Sequence, residues 1–117
     1  MESIQLAEKI AEIILSKKGS EVKFLDLKKL TTMADYFVVC SADSDVQVKA
    51  IADEVRNKLA EEGIKVFHRE GYDTLNWIIL DYFDVVVHIF KAAAREYYKL
   101  EKLWGDAPVT EITDEVE

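Results

Sequence analysis

The sequence predicts an α/β (α+β) domain: a single mixed β-sheet of about five strands with helices packed against it. Residues 4–16 and 45–62 place apolar side chains three and four apart, the spacing of one helix face. Between and after them come short runs rich in Val, Ile, Phe and Tyr, which suit strands and are too short for helices. Gly19, Gly63, Gly71, Gly105 and the only proline, Pro108, mark the joins. Half of the 117 residues are hydrophobic, enough for a single domain to bury its own core.

Ile4 to Ser16 reads as the first helix. Leu6, Ile10, Ile13 and Ile14 share a stripe, Ser3 is positioned as the N-cap, and Gly19 lies just past the end. Glu21 to Leu27 alternates as a strand, with Val22, Phe24 and Leu27 inward, and Tyr36 to Ser41 is a short buried strand. Ser44 and Gln47 then set out a capping box for a long helix to about Glu62, with Val48, Ile51, Ala52, Val55 and Leu59 on its apolar face. Asp43 and Asp45 suit its positive end. Gly63 stops it, and Lys65 to Arg69 is the third strand. Asn76 to Asp81 and Asp84 to Phe90 form a hairpin, and a last helix covers about Ala92 to Trp104. Gly105 and Pro108 end that helix. In it Tyr97, Leu100 and Trp104 share a core stripe, while Arg95, Tyr98, Glu101 and Lys102 turn elsewhere. The order is α-β-β-α-β-β-β-α. The domain covers residues 1–108, and residues 109–117 form a loose acidic tail.

Charge narrows the function. With 23 acidic against 15 basic residues, the net charge is −8. Binding led by phosphates needs clustered Lys and Arg, so any direct RNA contact is minor. The same field attracts a basic protein. No apolar run approaches the roughly 20 residues of a membrane span. The N-terminus carries acid at once, unlike a signal or transit peptide, so a cytoplasmic protein is expected. The single cysteine, Cys40, excludes an internal disulfide and fits a reducing compartment.

The hairpin is the most informative stretch. A turn centred on Tyr82 and Phe83 pairs Asp81 with Asp84, Leu80 with Val85 and Trp77 with His88, and a four-residue loop is expected to keep that pairing. One face then holds Ile78, Leu80, Val85, Val87 and Ile89 and must be core. The other holds Trp77, Ile79, Asp81, Asp84, Val86, His88 and Phe90, a mixture that suits recognition. On the pattern alone, packing of Trp77 and His88 beneath the last helix is the simpler reading.

Three stretches resemble the Iojap-like family of ribosomal silencing factors. They are Ala34 to Ser41 with Val46 to Glu54; Glu70-Gly71 with W-x-x-x-D and V-V-H-x-F at residues 77–90; and R-x-Y-Y-x-L-E-x-L-W-G-D-A-P at residues 95–108. Together they span nearly the whole chain. The resemblance implies a fold related to nucleotidyltransferases without their catalytic motif. It implies a translational repressor that binds a large-subunit ribosomal protein at the intersubunit face and sterically blocks subunit association. It implies homodimers as an option. The candidate partner-binding set is Trp77, Asp81 and His88 from the hairpin with Arg95, Tyr98 and Glu101 from the last helix. Phe83 departs from the glycine expected at the hairpin tip, and Ser44-Asp45 lacks the arginine expected before Val46-Gln47.

Enzymatic readings fare worse. Nucleotidyl transfer needs a Gly-Ser turn and carboxylates paired on a strand to hold magnesium. Here Ser41 is followed by Ala42, and Asp81 and Asp84 flank a turn. Cys40 sits inside an apolar strand, where a thiol behaves as a small hydrophobe rather than a nucleophile. His68 and His88 share no metal-ligand spacing. No cofactor, metal or catalytic residue is expected. A large-subunit assembly factor using the same surface is the alternative, and a nucleotidyltransferase-type enzyme is a third reading.

Overall fold

The computed structural model describes residues 2–94, 105 and 107–112. The elements are α1 (Ser3–Ser16), β1 (Ser20–Asp26), β2 (Tyr36–Ala42), α2 (Asp45–Glu61), β3 (His68–Glu70), β4 (Trp77–Asp81), β5 (Val85–Lys91) and β6 (Val109–Ile112). They form the mixed sheet and α+β architecture predicted, with six strands in the order β3-β4-β5-β2-β1-β6. β2 and β5 run parallel at its centre, and the other ladders are antiparallel.

The main core lies between one face of this sheet and α1 and α2. Leu6, Ile10 and Ile14 of α1 meet Val48, Ile51, Val55 and Leu59 of α2 and the inner side chains of β2, β4 and β5. Each fully buried Leu or Ile of this layer stabilises the fold by ~1.5–3 kcal/mol. The five aliphatic residues assigned to the hairpin's core face, Ile78, Leu80, Val85, Val87 and Ile89, are all fully buried here. Cys40 belongs to this core as well. A second, smaller cluster of Leu25, Leu27, Ala34, Val39, Phe90 and Ala107 covers part of the opposite face, with Phe37, Trp77 and Val86 packed against it.

Local chemistry explains the helix starts. Ser44 Oγ accepts from the Gln47 amide at 3.2 Å, as the capping box requires. The Gln47 side chain goes further afield than the box predicts. Its carbonyl accepts from the Asp43 amide at 2.7 Å, and its Nε2 donates to the Lys17 and Lys18 carbonyls beyond α1. At α1 the cap is Glu2, not Ser3, because Gln5 reaches back to the Glu2 amide at 2.9 Å and closes the box one residue earlier.

Several strand assignments change. β1 does not keep one buried face: Val22 and Phe24 enter the main core, while Leu25 and Leu27 enter the second cluster. The third strand starts later than Lys65, at His68, because Ile64 and Val66 pack against the main core before the ladder begins. The tail is not loose at its start. Residues 109–112 add β6 to the open side of β1, pairing Val22 with Ile112 and Leu25 with Val109 and so satisfying that edge. The last helix is visible only as a helical assignment at residues 92–94. The remainder, with Arg95, Tyr98, Glu101 and the stripe of Tyr97, Leu100 and Trp104, lies outside the described residues.

The hairpin register also differs. Asp81 pairs with Val86, Leu80 with Val87, Ile79 with His88 and Trp77 with Phe90. The last ladder pair, Asp81 and Val86, therefore encloses four residues, with the Tyr82 amide donating to the Val85 carbonyl at 2.9 Å across the turn, and every partner moves by two positions. A four-residue loop does not preserve the pairing. It preserves the faces, because the side-chain period is two.

Candidate partner-binding site

The site is built on the face of β4 and β5 opposite the helices. Gly71, at φ +93°, lets the chain turn tightly against β4; a Cβ there would overlap the Trp77 carbonyl oxygen. Trp77, Ile79 and Asp81 alternate along β4 and are each half-buried. On β5, Val86 is half-buried, whereas His88 is only 5% exposed and Phe90 is fully buried. Parallel pairing sets β2 beside them, with Phe37 opposite Val86 and Val39 opposite His88.

These side chains form an aromatic bed. Trp77 stacks on Phe90 with ring centroids 5.0 Å apart, and Phe37 meets the His88 ring at 4.5 Å. Trp77 Nε1 donates to His88 Nδ1 at 3.0 Å. Burial lowers the His88 pKa from 6.5 to about 3, so the ring is neutral near pH 7. Indole is only a donor, so Nδ1 is the acceptor and the proton resides on Nε2. Nε2 is buried and has no hydrogen-bond partner among the described residues.

Beside the imidazole lies a hollow of about 200 Å³, lined by Leu27, Met33, Phe37, Asp81, Val86 and His88 among others. It is mainly apolar, with Asp81 supplying a carboxylate. Asp81 Oδ1 also accepts from the Phe83 amide at 2.8 Å and so holds the hairpin tip. Met33 is 83% exposed. The combination is an apolar seat with aromatic walls and an acidic rim, the composition of a protein-binding anchor site.

Its chemistry is poor in reactive groups. His88 is internal and neutral near pH 7, Asp81 is committed to the turn, and Cys40 is fully buried in the other layer. Among the described residues, no three His, Cys, Asp or Glu side chains are grouped to hold a metal ion.

Of the predicted set, Trp77 and His88 are joined directly, and Asp81 and His88 line one hollow. Arg95, Tyr98 and Glu101 lie outside the described residues. The sequence reading missed Phe37 and Met33. Neither carried a signal, because Phe37 reaches the site through the parallel pairing of β2 with β5 and Met33 lies just ahead of β2, both far along the chain from the hairpin.

Comparison with known proteins follows the same lines. The sequence model of the family described as "Ribosomal silencing factor during starvation" matches residues 1–117. The chain is 45% identical over 96 residues to ribosomal silencing factor RsfS of Bacillus subtilis strain 168, covering 82% of this chain and 81% of that protein. It is 40% identical over 112 residues to RsfS of Halalkalibacterium halodurans, covering 96% of each. The crystal structure of a protein from Chromobacterium violaceum superposes with a TM-score of 0.86 at 38% identity, covering 90% of this chain and 88% of that one.

Proposed function

The chain belongs to the ribosomal silencing factor family of Iojap-like proteins, and from that premise we propose that it represses translation by occupying the large ribosomal subunit. The observation that carries this reading is the family match along the entire chain, with relatives of the same name covered almost end to end. Its contact is a basic ribosomal protein at the face that meets the small subunit. The protein works as an obstacle: a folded body of 37 × 35 × 34 Å seated there leaves no room for a second surface to close.

The face of β4 and β5 supports this reading. Trp77 and the hollow beside His88 offer a rigid apolar anchor point, and Asp81 offers a charge opposite to that of a basic partner. Arg95, Tyr98 and Glu101 extend the proposed contact along the chain after β5. The net charge of −8 favours protein over RNA as the contact. The action is binding rather than catalysis, in keeping with the regulatory role that the family's description names.

Sedimentation of purified subunits on sucrose gradients tests the proposal. The protein should travel with large subunits and reduce the yield of joined ribosomes as its concentration rises. Migration with small subunits alone, or undiminished joining at saturating protein, defeats it.

A further inference from the structure

The tip of the hairpin carries a feature that the anchor site does not use. Phe83 sits at φ +70°, a conformation that bulky side chains rarely adopt. The residue is 60% exposed. Across the β3–β4 ladder, Phe67 is 63% exposed, and its amide donates to the Asp81 carbonyl at 2.8 Å. The two rings touch, with centroids 4.0 Å apart and planes at 37°. Stability gains little from two large apolar rings left in water on a disfavoured backbone, so recognition is the better account of them.

Carboxylates bracket the ring in the chain. Asp81 precedes Phe83 by two residues and holds its amide, and the exposed Asp84 follows it. Neither has an ion-pair partner among the described residues.

We propose that the Phe67–Phe83 pair, with Asp81 and Asp84, seats an arginine side chain of the basic ribosomal protein contacted by this chain. The inference rests on the proposed function and deepens it. A guanidinium is planar and weakly hydrated, stacks on aromatic faces, and presents its N–H edge to a carboxylate at the same time. The chain already uses this chemistry internally: Arg56 and Arg69 each lie 5.6 Å from the Tyr72 ring, whose hydroxyl donates to Asp53 at 3.1 Å. A nucleobase could also stack on exposed phenylalanine, but these carboxylates repel the phosphates that accompany it.

The test uses the full chain and purified large subunits. Affinity is measured for wild type, Phe67→Ala, Phe83→Ala, Phe83→Gly and Phe83→Trp, with folding checked by circular dichroism. Phe83→Gly removes the ring while easing the backbone, so its effect cannot be ascribed to misfolding. Loss of either ring should weaken binding about tenfold, and Phe83→Trp should retain it. A photo-crosslinker at position 83 should mark an arginine-bearing segment of a ribosomal protein. Unchanged affinity in folded Phe67→Ala and Phe83→Gly, or crosslinks to ribosomal RNA or to a second copy of this chain, overturns the inference while the proposed function stands. Failure of wild type to bind large subunits defeats both.

Discussion

Trp77 donates its indole N–H to His88 even though the backbone register sets it opposite Phe90. The bond runs diagonally across the hairpin and ties an aromatic anchor at the start of β4 to a buried ring on β5. It fixes the Trp77 ring in the plane that stacks on Phe90. Truncation at His88 should therefore act on the anchor as well as on the core. His88→Ala removes the imidazole acceptor of the indole and leaves a cavity beneath it, a loss of about 2–4 kcal/mol. Urea unfolding monitored by tryptophan fluorescence reads the stability, and a red-shifted native spectrum reads the loosened indole.

The same histidine makes stability depend on pH. Its pKa is about 3 in the folded protein and close to 6.5 when unfolded. Below 6.5 the unfolded chain takes up a proton that the folded chain refuses, so stability falls as pH drops toward 3. The slope from this residue approaches about 1.4 kcal/mol per pH unit. Urea midpoints between pH 4 and 8 should show it, and His88→Phe should flatten the curve relative to wild type.

Asp81 combines two roles that one pair of variants separates. Asp81→Asn keeps an oxygen for the Phe83 amide and removes the charge. It should fold normally and weaken capture of the basic partner in pulldowns. Asp81→Ala also loses the turn acceptor, adding about 1 kcal/mol of destabilisation. Equal capture by wild type and Asp81→Asn would show that the carboxylate charge plays no part in binding.

Gly71→Ala should be among the most damaging small substitutions. A methyl group overlaps the Trp77 carbonyl, and the backbone stands at φ +93°. A cost of about 2–3 kcal/mol follows, with β3 separating from β4. Thermal unfolding reads the loss, and amide exchange at His68 to Glu70 locates it.

At the start of α2, Gln47→Ala should cost more than Ser44→Ala. The serine satisfies one backbone amide, worth about 1 kcal/mol. The glutamine serves the Asp43 amide and two carbonyls beyond α1, so its removal should approach about 2 kcal/mol. Parallel denaturant titrations decide the order.

How legible these features were in the sequence depends on the range of the forces involved. The start of α2 was readable because Ser44 and Gln47 act within one turn. The two faces of the hairpin were readable because alternation survives a shift of two. The register was not, since the Asp81 turn acceptor and the turn over residues 82–84 set it. Leu27 was misread because a second cluster on the far face, shared with Leu25, gave it somewhere to go. β6 escaped notice because Val109 to Ile112 are mostly exposed and become a strand only by pairing with β1. The resemblance to known silencing factors, spread over nearly the whole chain, carried the family assignment. Within the site, the contact of Phe37 with His88 could not be read, because parallel neighbours are chosen by the fold and not by nearby residues.

The placement of β5 between β4 and β2 bears on when the protein becomes competent. Tyr36 waits for Val85 to complete its ladder, so the sheet's centre closes only after the intervening helix and two further strands have been made. Long-range closure of this kind comes late in folding. A nascent chain halted before Lys91 cannot display Trp77, Asp81 and His88 as one surface. The surface thus comes into being only once β5 has been made and set between its two neighbours.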